Sequence, residues 1–179
     1  MTATGKTYGD ALYDLAAEEA LCDELLEQVK LLARLFRENP QYPALLTSPD
    51  IPREERLRLI GEALTGQVHP YLVNFLCLLC ERGRLPAFAG CAARYEQRWL
   101  EDHNTVRGRV SSAVPLTETQ LTALAARMGE TLGKHVLLEG TVSPPLIGGI
   151  RVEIDGRVWD GSLRGRLEEL SGLLRGAVL

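Results

Sequence analysis

The chain has 179 residues, of which 45% are hydrophobic and 25% charged, and carries a net charge of −4. That length suits one ordinary domain or two small ones, and that balance excludes an intrinsically disordered chain. The longest apolar run, Tyr71 to Cys80, is broken by Asn74 and is too short to cross a bilayer. The first residues also lack the apolar centre of a secretion signal, so a cytoplasmic protein is expected.

From Tyr8 to about Leu21 the apolar positions Tyr8, Ala11, Leu12, Leu15 and Ala16 keep helical spacing. Leu25, Val29, Leu32 and Phe36 form a second stripe, which Asn39-Pro40 ends. A short helix around Ala44 to Leu46 stops at Ser48-Pro49. Pro52 is expected as the first residue of the next helix, where its missing N–H costs nothing, and Glu54 and Glu55 suit the positive N-terminal dipole. That helix should bury Leu57, Ile60 and Leu64. Another runs from His69-Pro70 to Arg82-Gly83, and the last carries Phe88, Ala92, Tyr95 and Trp99. Six helices with short connections predict an up-and-down bundle.

Near Asn104 the period changes. Val106, Gly108 and Val110 alternate with Arg107 and Arg109, the pattern of a strand, which should end at Val114-Pro115. Thr117 to Gln120 reads as a capping box. Leu121, Leu124, Met128 and Leu132 line the helix that follows, and Gly133 closes it. Val136 to Val142 is a second strand, which Ser143-Pro144-Pro145 forbids from continuing. Ile150, Val152 and Ile154 give a third. Asp155-Gly156 signals a two-residue hairpin turn, and Arg157 to Trp159 returns. Asp160 is expected to cap a final helix with Leu163, Leu167, Leu170 and Leu174 on one face. The whole reads as α+β: a six-helix bundle over residues 1–105, then a small α/β domain over 106–179.

Residues 1–105 hold sixteen acidic against eleven basic side chains, and the remainder eight against nine. The early acids, Asp10, Asp14, Glu18, Glu19, Asp23, Glu24 and Glu27, read as a solvated helix face or as a surface for a basic partner segment. They disfavour nucleic acid. Cys22, Cys77, Cys80 and Cys91 make no disulfide scaffold. Cys77 and Cys80 match CxxC spacing but lie within an apolar helical run with no second pair to complete a zinc site, so they read as small buried hydrophobes.

There is no phosphate loop. Gly148-Gly149 precedes a strand and reads as a tight bend, and Gly161-Ser162 falls out of register with a nucleophile elbow. His69, His103 and His135 are scattered without metal-ligand spacing, and the adjacent Glu168 and Glu169 read as solvated charge. The expected catalytic, metal and cofactor residues are therefore none. The helix from Tyr71 to Arg82 is apolar nearly all round, with Asn74 on its Tyr71–Leu78 side. Either it is buried on every side, or that side opens into a groove for an amphipathic helix of another protein, with Tyr8 and Ala11 as the opposite wall.

Taken in order, these pieces resemble the delta subunit family of the F-type ATP synthase, called the oligomycin-sensitivity-conferring protein in mitochondria. Tyr8 to Ala16 is similar to that family's opening helix, and Asn74 to Leu85 to its fifth. Val110 to Glu118 resembles its entry into the C-terminal domain. Leu146-Ile-Gly-Gly149 and Asp160-Gly-Ser162 through Leu170 are similar to its C-terminal signature. The resemblance implies a non-catalytic stator subunit, whose helical domain binds N-terminal helices of alpha subunits and whose C-terminal domain joins the b subunits of the peripheral stalk. Ion flow is thereby coupled to ATP synthesis. It implies a groove lined by Tyr8, Ala11, Leu15, Asn74 and Leu78, and a stalk-side signature of Gly148, Gly149, Asp160, Gly161 and Ser162. It also implies a place on the cytoplasmic face of the bacterial membrane, held there only through the complex. Gly9 stands where that family usually has Ala, which should weaken the first helix by up to about 1 kcal/mol. Ser143 replaces a usual Asp. The alternative from the residues alone is a helical adaptor or RNA-binding regulator.

Overall fold

The computed structural model describes residues 2–163 and 165. The expected Leu167, Leu170 and Leu174 stripe and the Glu168–Glu169 pair lie outside the described residues. The chain divides into two compact units, Met1–Trp99 and Leu100–Leu179.

The first unit is helical: α1 (Ala3–Glu18), α2 (Cys22–Glu38), α3 (Gln41–Thr47), α4 (Arg53–Leu64), α5 (Pro70–Glu81) and most of α6 (Phe88–Asp102), whose last turn falls after the division at Trp99. α1 begins five residues before Tyr8 because Thr2 caps it, its hydroxyl accepting from the Gly5 N–H at 3.2 Å. It ends through Ala20 in the left-handed region, φ 56°, with the Leu21 N–H donating to the Ala16 carbonyl. Pro52 is not the first helical residue, as expected, but the cap before it: its ψ of 143° is extended, and Arg53 opens α4. His69 caps α5 through Nδ1, which accepts from the Tyr71 N–H, and Pro70 follows at N1. The core is built around Tyr13, Leu25, Leu72, Leu76, Phe88 and Tyr95, all almost fully buried. Burying a leucine or phenylalanine side chain stabilises by about 1.5–3 kcal/mol. The Tyr13 and Tyr95 rings meet edge-on at 5.1 Å, and the Tyr95 hydroxyl donates to the Cys22 carbonyl.

The second unit holds β1 (Thr105–Ser112), α7 (Glu118–Leu132), β2 (His135–Val142), β3 (Ile150–Ile154) and β4 (Arg157–Asp160). The sheet order is β2-β1-β3-β4. α7 crosses over between the parallel strands β1 and β2, while β3 and β4 form an antiparallel hairpin beside β1. β1 stops two residues short of Val114, because the Ser112 hydroxyl donates to the Val114 carbonyl and turns the chain. The capping box is present, with Thr117 and Gln120 each bonded to the other's backbone, and Gly133 ends α7 at φ 64°. The hairpin turn has positive φ at both Asp155 (52°) and Gly156 (75°), as a type I′ turn requires. Val110, Val136, Val152 and Ile154 face Leu121, Leu124 and Met128 of α7. Gly108, in the centre of the sheet, leaves the room that the Ile154 and Leu138 side chains fill.

Candidate functional site: an open flank between α1 and α5

α5 is not buried on every side. Leu72, Phe75, Leu76 and Leu79 face the core, whereas Asn74 is exposed and Leu78 keeps 39% of its surface. An apolar helix with one solvent-facing stripe is held in place by its buried side and leaves the other side free for a partner. The Tyr8 ring reaches across from α1 and meets Phe75 edge-on, with centroids 6.4 Å apart. Tyr8 therefore marks where α1 touches α5. Ala11 and Leu15 continue the same flank of α1 towards its C-terminus, Ala11 exposed and Leu15 37% exposed. Of the five groove residues expected from the sequence, Tyr8 is joined to α5 by a direct ring contact. Ala11, Leu15, Asn74 and Leu78 are open on the two helices that the contact joins.

The early acids are less available than the sequence suggests. Asp10 Oδ1 accepts from Arg94 Nε at 2.6 Å and from Arg98 Nη1 at 3.2 Å, and Asp14 accepts from Arg98 Nη2 at 3.0 Å. Partial burial would raise the Asp10 carboxyl, but the hydrogen bonds from Arg94 and Arg98 outweigh it and hold it below the usual carboxylate range. Asp23 accepts from the Trp99 indole N–H at 2.7 Å, and Glu27 pairs with Lys30. Asp10, Asp14 and Asp23 thus tether α1 and α2 to α6.

The signature residues of the second unit come together as one interlocked turn. Gly149, at φ 78°, packs directly on the Gly161 carbonyl and the Ser162 backbone, where any side chain would collide. The Leu163 N–H donates to the Gly148 carbonyl, and the Gly161 N–H to the Ile150 carbonyl, each at 2.9 Å. Asp160 is not the helix cap expected from the sequence. It ends β4 and accepts from the Ser162 N–H and hydroxyl at 2.9 and 2.6 Å. The cap is Ser162, almost fully buried, whose hydroxyl oxygen accepts from the Gly165 N–H at 3.0 Å. The Ser162 hydroxyl and backbone N–H hold the Asp160 carboxyl below its ordinary range.

Two features escape sequence reasoning. Ile147 has φ 65° and ψ −41°, and the Gly148 N–H donates to the Leu146 carbonyl at 2.7 Å across it. This is a γ-turn with a β-branched residue at its strained centre, and the Ile147 side chain is 67% exposed. A further set of exposed apolar side chains, Leu31, Leu35, Tyr42 and Leu45, lies on α2 and α3. Helical periodicity marks a buried stripe but does not say which apolar residues beside it stay uncovered.

Burial pushes Cys77 and Cys80 up, the opposite of an activated thiolate, and the Cys80 thiol donates to the Leu46 carbonyl at 3.3 Å. Among the described residues, no three His, Cys, Asp or Glu side chains are grouped to hold a metal.

The family model for the ATP synthase delta (OSCP) subunit matches residues 4–174. An ATP synthase subunit delta from Geobacillus sp. (strain WCH70) is 35% identical over 172 residues, 96% of this chain and 96% of that protein. Its counterpart from Gloeobacter violaceus is 35% identical over 166 residues, 92% of this chain and 90% of that protein. Among solved structures, a chain of the Toxoplasma gondii mitochondrial ATP synthase hexamer is similar in fold, with a TM-score of 0.67 at 16% identity, over 97% of this chain and 98% of that one.

Proposed function

The chain belongs to the ATP synthase delta (OSCP) subunit family and is a structural, stator subunit of that complex; from this premise we propose that its two units bind different parts of the assembly. The first unit receives N-terminal helices of alpha subunits along the α1–α5 flank. The second joins the b subunits of the peripheral stalk through the face built on Gly148-Gly149 and Asp160-Gly161-Ser162. A stator joined at both ends resists the torque of the rotor, so ion flow is coupled to ATP synthesis.

The observation that carries this reading is the open flank itself. Leu15 and Leu78 are each more than one-third exposed on two helices tied together by the Tyr8–Phe75 contact, and Asn74 supplies a polar group beside them. Such a strip suits the apolar face of an amphipathic helix, with i, i+4 and i+7 anchors. No helix among the described residues is long and apolar enough to cross a membrane. As a member of this family the subunit is a peripheral component of the complex, and we place it at the cytoplasmic face of the membrane, held there through the complex.

The test is titration of the full chain with a synthetic peptide carrying the N-terminal segment of the organism's own alpha subunit. Leu78→Asp should abolish binding while leaving the far-UV circular dichroism helical. Undiminished binding by a folded Leu78→Asp chain would remove the groove.

A further inference from the structure

We propose that Asp10 is a positioning residue for the α1–α5 flank: by gripping Arg94 and Arg98 of α6, it sets the rotation of α1 that turns Tyr8, Ala11 and Leu15 towards α5. This inference rests on the groove reading above and names the device that preorganises it.

Three observations converge on it. Around the α1 axis, Asp10 and Asp14 fall on one flank, while Tyr8, Ala11 and Leu15 fall on the other. Gly9, Leu12 and Ala16 lie between these flanks and face the core. α1 is thus held on one side by charge and left open on the other.

The charged side is built with several contacts that share one orientation. Both Arg94 and Arg98 donate to the same Asp10 oxygen, Arg98 also reaches Asp14, and its guanidinium lies over the Tyr13 ring at 5.0 Å. The groups are sheltered, with side-chain exposures of 26% for Asp10, 15% for Arg94 and 26% for Arg98. Such pairs are less screened than fully exposed ones.

The backbone of α1 also lies unusually close to α6. A Cβ on Gly5 would stand 3.1 Å from Gly90, and one on Gly9 would stand 2.7 Å from the Cys91 carbonyl. Glycine contacts permit approach but do not fix rotation, since they carry no interlocking side chain. Leu12 and Tyr13, almost fully buried, seat α1 in the core, and the carboxylate adds a directional constraint on the flank beside them. A helix free to roll would present its apolar flank only part of the time, and apparent affinity falls with the fraction in the competent orientation.

The test uses the full chain and the same alpha-subunit peptide, measuring affinity and thermal midpoint together for Asp10→Asn, Arg98→Gln, the double variant and Leu78→Asp. Asp10→Asn should weaken peptide binding by about fivefold or more at 25 °C while the protein remains fully folded. Arg98→Gln should do the same, and the double variant should be little worse than either single one, because both remove one constraint. If Asp10→Asn lowers only the thermal midpoint and leaves affinity unchanged, its role is structural and the proposal fails. Loss of binding in Leu78→Asp alongside unchanged affinity in Asp10→Asn would overturn the positioning role while keeping the groove. No effect of either variant would overturn both. Should Asp10→Asn not fold, Arg98→Gln, which leaves the bond from Arg94 to Asp10 in place, decides by the same criterion.

Discussion

Gly9 lies so close to Cys91 that a Cβ added to it would stand 2.7 Å from the Cys91 carbonyl oxygen and 2.7 Å from the Arg94 Cβ. Both are core-side atoms of α6 that cannot swing away. Helix propensity alone predicts that Gly9→Ala stabilises α1 by up to about 1 kcal/mol. The packing predicts the reverse, a loss of about 1–3 kcal/mol, because an extra methyl forces two helices apart. Urea unfolding of Gly9→Ala distinguishes the two signs. The glycine is thus a fitted part of the α1–α6 crossing and not merely a weak point in the helix, as its sequence context suggests.

Ala20 offers the opposite case. It sits at φ 56° where α1 ends, a conformation that disfavours any residue with a Cβ. Ala20→Gly should therefore raise stability by about 0.5–1 kcal/mol after the added freedom of the unfolded chain is subtracted. A thermal midpoint that falls in this variant would show that the Ala20 methyl makes contacts that outweigh the backbone strain.

The Asp10 network gives stability a definite dependence on acid. Its carboxyl lies below the ordinary range in the folded protein, where the Arg94 and Arg98 hydrogen bonds outweigh the effect of burial. The folded state therefore binds fewer protons than the unfolded chain near the unfolded pKa of about 4. The contribution is fully present above that value and is lost as pH falls through it towards the lower folded pKa. Denaturant midpoints measured from pH 6 down to pH 3 should decline less steeply in Asp10→Asn than in the parent chain. Parallel profiles would show that Asp10 titrates alike in both states.

Ser162 holds the beginning of the last helical segment to the end of the sheet, accepting from Gly165 while donating to Asp160. Ser162→Ala should cost about 1–2 kcal/mol, since it leaves a backbone donor and a carboxylate oxygen short of a partner. Hydrogen exchange at Gly165 should accelerate in this variant. Exchange unchanged from the parent would mean that the cap is not what protects that amide.

The six helices, the capping box, the Gly133 terminus and the Asp155-Gly156 turn were legible because each depends on local spacing or on a residue with restricted backbone chemistry. The open stripe of α5 was half legible: Asn74 interrupts an otherwise apolar helix, which left burial on every side and one open side as alternatives, and Asn74 and Leu78 are exposed. What remained hidden depends on contacts distant in sequence. Nothing near Asp10 announces that Arg94 and Arg98 will neutralise it, so the acidic helix read as open charge. Asp160 and Ser162 both read as helix-start residues, and only the path of the hairpin shows that Ser162 takes the cap while Asp160 ends β4. Pro52 illustrates the smallest error, one residue, since proline suits both the cap and the first helical turn.

Ile147 was illegible for a different reason: no sequence rule places a β-branched residue at positive φ. The γ-turn exists because Leu146 is buried on one side while Gly148 and Gly149 are engaged with Leu163 and Gly161 on the other. The chain must reverse within one residue, and the side chain is turned outward, 67% exposed. Ile147→Gly relieves the strain and loses little burial, so stability should rise by about 1 kcal/mol, at the low end of the cost of such conformations. Ile147→Ala keeps a Cβ and should recover much less of it. A urea midpoint that rises in Ile147→Gly but not in Ile147→Ala assigns the strain to the backbone conformation. Equal shifts in both variants would assign it to the bulk of the side chain instead.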